Sequence, residues 1–325
     1  MPLQIIEHMV SSTIDSVAVV IPSCGRIASL ANTISSLTTQ IITGCAFDII
    51  VVDNTLPASS AIQDHFGGGV CTVIREDKVG LHYARHAAAL HCSASIIVYI
   101  DDDVECPDGW LHEMLRPFED PAVALVGGES RLKCEADFPD WLQKYRMYLS
   151  ERIESDGSGY REPYWAPVGC NMAVRRSILF EVAGFNPDGF GRDDLLQYRG
   201  DGENGLARKI HEAGHRSFYS SEAWLYHVVP TSRLTREYLE RRLMLCGLEQ
   251  AYSYYRYRRP SYLRLLVHYI KTLICSTKAL PPAGDEEVDQ SIERSRSSAY
   301  LNQLSRLLLS RKLREFTVRP TYFDV

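Results

Sequence analysis

Three adjacent carboxylates, Asp101, Asp102 and Asp103, directly follow the apolar run Ile96–Ile100. Neighbouring like charges about 4 Å apart repel by roughly 4 kcal/mol at an effective dielectric of about 20, so such a run asks for a counter-charge. A divalent cation would supply it: hard oxygen donors suit Mg2+ or Mn2+, and Mg2+ takes one or two protein carboxylates together with phosphate oxygens. A solvated acidic turn, or an N-cap ahead of Pro107–Trp110, is the other reading. The position after a buried strand favours a site. Asp53 stands in the same kind of place, at the end of Ile49–Val52. A carboxylate there accepts from a base imide or a ribose hydroxyl, or else caps the turn Asn54–Pro57.

The elements that must carry these groups are the apolar runs Val17–Pro22, Ile49–Asp53, Cys71–Ile74, Ile96–Ile100 and Ala122–Val126. They are continuous rather than alternating, as in strands covered on both faces. Between them, Ile27–Gln40 carries apolar residues at Ile27, Leu30, Ile34 and Leu37, and Leu81–His91 is rich in Ala and Leu, so both read as crossover helices. The fold class is therefore α/β, with a Rossmann-like, mostly parallel central sheet flanked by helices. Ligands in such sheets bind beyond the carboxyl ends of the strands. The first strand runs into Pro22-Ser23-Cys24-Gly25-Arg26, which is neither a dinucleotide loop nor a phosphate-binding P-loop and argues against a dehydrogenase or an ATPase. Residues 131–165 are aromatic and charged and read as an irregular or partly helical active-site loop. From Leu234 the pattern turns helical, over Leu234–Tyr254, Tyr262–Thr277 and Ile292–Phe316, with breakers at Arg259-Pro260 and Leu280–Asp285. Two units are expected, a catalytic domain over 1–233 and a C-terminal helical appendage over 234–325.

The 325 residues are 45% hydrophobic and 23% charged, which suits a globular protein with a sizeable core. A net charge of −6 hides an asymmetry: residues 1–230 hold 18 basic and 31 acidic side chains, a net −13, and residues 231–325 hold 17 and 10, a net +7. The basic end suits contact with an anionic lipid or polyanionic carrier, or is the solvated surface of a helical subdomain. Nine cysteines are scattered without a C-x-x-C pair, and the first residues lack the pattern of a signal peptide. A reducing, cytoplasmic setting is expected. No stretch reaches the roughly 18–20 apolar residues of a spanning helix, so membrane contact would be peripheral, at the inner face.

An ordered set of short motifs resembles the family 2 glycosyltransferases. It comprises Val19–Ser23 with Arg26, Ile50–Asp53, Gly80-Leu-x-x-Ala-Arg85, Tyr99–Asp103 with Trp110, Gly169–Arg176, Ala183–Phe185, Gly202-Glu203 and Tyr226-His227. The match spans about residues 15–240 and is carried by order and spacing. The resemblance implies a GT-A fold and a nucleotide-diphosphate sugar as donor, with UDP as the default and GDP or dTDP as options. By the same resemblance Pro22, Ser23, Arg26, Asp53, Arg85, Asp101 and Asp102 would hold the nucleotide sugar. Asp103, with Asp101, would serve the metal and diphosphate, and His227 would add a ligand, since a neutral imidazole can coordinate Mn2+. The stretch Trp165–Asn171 would pass beside donor sugar and acceptor, with Trp165, Gly169 and Asn171 as contacts; Gly169 would permit close backbone approach.

Many members carry Glu-Asp before a helix, and the Asp is taken as the base. Here the segment reads Arg199-Gly-Asp-Gly-Glu-Asn-Gly205, which places Glu203 at that position and leaves Asp201 as the alternative. Either could instead cap the helix that follows. The expected reaction is a single inverting displacement, with a carboxylate deprotonating an acceptor hydroxyl of a glycan, lipid-linked carrier or small molecule. A sugar nucleotidyltransferase and a non-catalytic carbohydrate-binding protein of the same fold are the alternatives. No nucleic-acid motif is present. In Tyr262–Ile274, Arg264, His268 and Lys271 recur at helical spacing against a broad apolar face, which fits packing, homodimerisation or a peripheral membrane contact.

Overall fold

The computed structural model describes residues 14–42, 45–189, 193–278 and 287–320. The predicted breaker Leu280–Asp285 lies outside the described residues. Strands β1 (Val17–Ser23), β2 (Phe47–Asp53), β3 (Thr72–Arg75) and β4 (Ile96–Ile100) form a parallel half-sheet in the order β3-β2-β1-β4. Their unbroken apolar character has a direct cause. Successive side chains point to opposite faces, and both faces are covered. Val17, Val19 and Ile21 pack with Leu30, Ile34 and Leu37 of helix α1 (Ile27–Leu37). Ala18 and Val20 face the other layer, where the short helix α2 (Ala61–Phe66) is absent and α3 (Leu81–His91) contributes Ala84, Ala88 and Ala89. Small residues there let α3 lie close to the sheet.

The other half of the sheet is mixed. It holds β5 (Val104–Glu105), β6 (Val123–Cys134), β8 (Asn171–Arg175) and β9 (Arg216–Val229), and the two-residue β7 (Gly159–Tyr160) pairs with β9. Strand β8 runs antiparallel between β4 and β6, whereas β6 and β9 are parallel. The predicted run Ala122–Val126 is only the start of β6. Beyond it come Glu129, Ser130 and Arg131, polar residues that hide the strand from an apolar-run reading. Within 131–165 the chain finishes β6, forms a 3-10 run over Asp140–Leu149 and adds β7. Helices α4 (Trp110–Leu115), α5 (Arg176–Glu181) and α6 (Gly202–Glu212) complete the two covering layers, α4 on the α1 side and α5 and α6 on the α3 side.

The C-terminal helices are α7 (Arg236–Arg258), α8 (Tyr262–Lys278), α9 (Glu287–Leu309) and α10 (Arg311–Val318). Thr235 starts α7, its hydroxyl accepting the Tyr238 backbone N–H at 3.3 Å. The single helix expected over Ile292–Phe316 is broken at Ser310, which caps α10 by accepting from the Leu313 N–H at 3.1 Å. Leu239 and Leu243 of α7 bury against Leu142 and Leu149 of the 3-10 run and Val229 of β9, so these helices share a core with the sheet domain. Among the described residues no helix is long and apolar enough to cross a membrane.

Candidate active site

A cleft of about 500 Å³ opens beyond the carboxyl ends of β1, β2 and β4. Its floor is the triplet that follows β4. Asp102 and Asp103 are buried, and Asp101 is a third exposed. The Ser23 hydroxyl donates to Asp102 Oδ2 at 2.6 Å, and the Ser29 hydroxyl donates to the Asp102 carbonyl at 2.8 Å. The Arg26 guanidinium pairs with Asp102 and donates to Asp103 Oδ2 at 2.7 Å. Asp102 therefore ties the end of β1 and its loop to the loop after β4, and of residues 22–26 it is Pro22, Cys24 and Arg26 that line the cleft.

Asp103 meets His227 because β5 pairs antiparallel with β9 in a register that sets Val104 opposite His227, and Val228 N–H donates to the Asp103 carbonyl at 2.8 Å. His227 Nε2 lies 3.5 Å from Asp103 Oδ1. One donor atom from each of Asp101, Asp103 and His227 lies within 4.8 Å of the others. Asp103 Oδ1 and His227 Nδ1 are buried without a hydrogen-bond partner, atoms that burial would penalise unless something else engages them. Two carboxylates and an imidazole fit a divalent ion such as Mn2+ or Mg2+ and do not separate the two. Burial and the adjacent Asp103 raise the Asp101 pKa. For Asp103 burial also acts upward, but His227, Arg26 and Arg233 outweigh it and hold the carboxyl below its usual range.

Arg85 forms the opposite wall. It is fully buried on α3, with its guanidinium 5.5 Å from the ring centroids of both Tyr99 and Phe185. Its Nη1 donates to Glu203 Oε1 at 2.6 Å, its Nη2 donates to the Gly169 carbonyl at 2.8 Å, and Asp101 Oδ1 is 3.9 Å away. The planar fork is thus engaged by protein groups while Arg85, expected to contact the nucleotide, lines the cleft. Glu203 opens α6 and lines the cleft. Burial would raise its pKa, but Arg85 overrides that and holds it at about 2. Gly169 admits this pair: a Cβ there would stand 2.0 Å from Glu203 Oε1.

Several predicted contacts sit elsewhere. Asp201 does not line the cleft; it is buried, receives both hydrogen bonds of the Asn186 amide at 3.1 Å, and is bonded by the Tyr257 hydroxyl of α7. Asn171 does not line the cleft either. It is fully buried, accepts the Trp110 indole N–H at 3.0 Å and donates to the carbonyls of Glu129 at 2.8 Å and Ala223 at 2.7 Å. Its amide is used up in joining β8 to β6 and β9. Trp165 donates its indole N–H to Glu154 at 2.7 Å and stacks edge-on with Tyr219, away from the cleft. Asp53 is buried beside Arg75, 3.1 Å away, and faces a neighbouring hollow of about 440 Å³ with Ser59, Ser60 and Gln63.

Sequence reasoning missed Arg233, Tyr238, Arg242, His82 and Arg199, all of which line the cleft. Arg233 Nη2 lies 3.0 Å from Asp103 Oδ2. Its only signal was that it is the first basic residue of the positively charged end of the chain. His82 stacks on Phe185 with centroids 4.3 Å apart, and burial drives its pKa well below the ordinary value.

The sequence model of the family described as glycosyl transferase family 2 matches residues 18–182, just over half of the chain. The chain belongs to that family. Curated relatives are the pre-mycofactocin glycosyltransferases of Mycobacterium tuberculosis strains CDC 1551 / Oshkosh and H37Rv, each 27% identical over 224 residues. The match takes in 65% of this chain, and the chain spans 42% of those proteins' length. Among solved structures, a mannosyltransferase from Pyrobaculum calidifontis in complex with GDP-Man and Mn2+ aligns with TM-score 0.53 at 16% identity, over 93% of this chain and 82% of that one. GalNAc-T7 with UDP, GalNAc and Mn2+ aligns with TM-score 0.50 at 16% identity, over 92% and 58%. The family 2 chain thus has the GT-A fold.

Proposed function

We propose that this family 2 chain is a metal-dependent, inverting glycosyltransferase that moves a sugar from a nucleotide diphosphate to an acceptor hydroxyl. The observation that carries the reading is the meeting, in one cleft, of Asp101, Asp103 and His227 with the ionised carboxylate of Glu203. The nucleotide sugars and Mn2+ bound by the two structural neighbours support a donor and a cation of these classes. A divalent ion held by Asp103, His227 and Asp101 would neutralise charge that builds on the departing diphosphate.

In this reading Glu203 accepts the proton of the acceptor hydroxyl while that oxygen attacks the anomeric carbon from the face opposite the diphosphate. The bond from that carbon to the diphosphate oxygen breaks with its electron pair, inverting the configuration. Glu203 is the base, and the Asp201 carboxylate serves the packing with Asn186 and Tyr257. Glu203 is ready at neutral pH because Arg85 keeps it ionised. Movement of the Arg85 fork toward a donor phosphate would raise its basicity. Arg26 and Arg233, beside Asp103, supply positive charge for the diphosphate. Residues 1–233 form the catalytic unit, and the appendage from 234 closes one side of the cleft with Tyr238 and Arg242. The acceptor belongs to the glycan, lipid-linked or small-molecule hydroxyl classes.

A thermal-shift panel of UDP-, GDP- and dTDP-sugars, with and without Mn2+ or Mg2+, tests this. The cognate donor at 100 times its Kd should stabilise the protein by about 2.7 kcal/mol, with UDP-sugars first in order of expectation. Nucleoside diphosphate release and an inverted anomeric configuration should follow. Pyrophosphate release, or no stabilisation by any donor, would overturn the proposal.

A further inference from the structure

The outward face of α8 has no function in the cleft. Leu265 of this helix is buried with Leu304, Leu307 and Leu313, and His268 bonds the Tyr300 hydroxyl at 2.8 Å while stacking on Tyr254. Those contacts fix which side of α8 faces the protein. Two residues before and after Leu265, roughly 200° around the helix, Leu263 and Val267 point the other way. Leu263 is 71% exposed, Val267 49% and Ile270 45%, and Tyr262 at the helix start is 57% exposed. Residues 263, 267 and 270 follow the spacing of one helical stripe. Scattered exposed apolar side chains need no explanation, but a continuous stripe of them does.

The charge around this stripe points to what covers it. Residues 250–284 contain Arg256, Arg258, Arg259, Arg264, Lys271 and Lys278 and no Asp or Glu, in a chain whose net charge is −6. Arg258, Arg259, Arg264 and Lys271 are exposed. Arg264 and Lys271, seven residues apart, share one flank of the apolar stripe. An apolar stripe flanked by cations, on a stretch of chain that holds no Asp or Glu from 250 to 284, matches a surface of anionic headgroups over acyl chains. A second copy docking through the same face would instead bring like charge against like charge.

We propose that α8 is an interfacial helix that seats the protein on an anionic lipid surface, with Leu263, Val267 and Ile270 entering the acyl boundary and Arg258, Arg259, Arg264 and Lys271 meeting headgroup phosphates. The test is co-sedimentation of the full chain with vesicles of phosphatidylcholine alone and of phosphatidylcholine mixed with phosphatidylglycerol. The anionic vesicles should carry down at least about tenfold more protein, and added salt should reduce the difference. Leu263→Asp with Val267→Asp and Ile270→Asp should abolish vesicle binding while leaving donor hydrolysis and the thermal transition unchanged. Arg259→Gln with Lys271→Gln should weaken binding about tenfold and flatten its salt dependence. The proposal fails if the protein stays in the supernatant with anionic vesicles, or if the triple aspartate variant sediments as well as the unmodified chain. It also fails if light scattering shows a dimer that the triple variant splits while vesicles bind neither form, since a second copy would then cover the stripe. The readout does not depend on sugar transfer, so its failure leaves the donor panel unaffected.

Discussion

The two halves of the sheet reach the cleft in different ways. The parallel half delivers its groups from the ends of neighbouring strands: Asp101, Asp102 and Asp103 leave β4 one after another, and Arg26, 77 residues away in sequence, comes from the loop after β1 to lie 2.7 Å from Asp103. The mixed half delivers His227, Gly169 and Glu203, which meet only through pairings across long stretches of chain. One half is a strand-end cluster on parallel strands covered on both faces. The other is an assembly whose function rests on register.

The largest effects should come from breaking one group in each half. Asp103→Asn should lower transfer by roughly 10³–10⁴-fold, because the charge it contributes to diphosphate departure is worth several kcal/mol. Steady-state rates across a Mn2+ titration would measure this, and an unchanged rate would remove Asp103 from the metal site. Glu203→Gln should lower kcat by about 10²–10³-fold with little change in donor affinity, the signature of a proton acceptor used in the transition state. Asp201→Asn should leave kcat within about threefold and reduce stability by about 1–3 kcal/mol, read from the urea midpoint, because it is a buried acceptor of Asn186 and Tyr257. The opposite pattern would exchange their roles.

Smaller effects sharpen the contrast further. Asn171→Ala should cost about 2–3 kcal/mol in thermal or urea unfolding, since it strands the Trp110 N–H and two carbonyls in the core, yet should not alter the donor KM of the folded fraction. A selective rise in KM would return Asn171 to the sugar site. The smallest effect concerns acid. Glu203 is held at about 2 when folded, against roughly 4.3 in an unfolded chain. Its contribution to stability is therefore present above about pH 4.3 and lost as pH falls toward 2. The stability difference between the native chain and Glu203→Gln should stay constant from pH 7 to about 5 and shrink below about 4. A difference that already shrinks between pH 7 and 5 would mean Arg85 does not hold Glu203 in solution.

Glu203 and Asp201 show why spacing alone could not finish the assignment. They are two residues apart on a glycine-rich segment, and Gly202 between them has φ +53°, a left-handed turn that sends the two carboxylates in different directions. Arg85 draws Glu203 into the cleft, whereas Asn186 and Tyr257 hold Asp201 in the packing beneath α6. Asn171 illustrates the same limit: a polar residue two positions after a glycine reads as a sugar contact until its three buried partners are known.

From residue order alone came the apolar runs of β1, β2 and β4, the acidic triplet at the end of β4, α1 and α3, and the helical end of the chain. Those are legible because continuous apolar runs and helical periodicity are local consequences of being covered on two faces or one. Only the tertiary structure decided that the pairing of β5 with β9 is what brings His227, expected by resemblance as a ligand, beside Asp103, that Arg85 belongs to Glu203, and that Arg233 and Arg242 belong to the cleft. It also decided that Asn171 and Trp165 belong to the packing. The physical reason is that side-chain partnership depends on strand register and burial, and neither is written in the neighbourhood of any one residue.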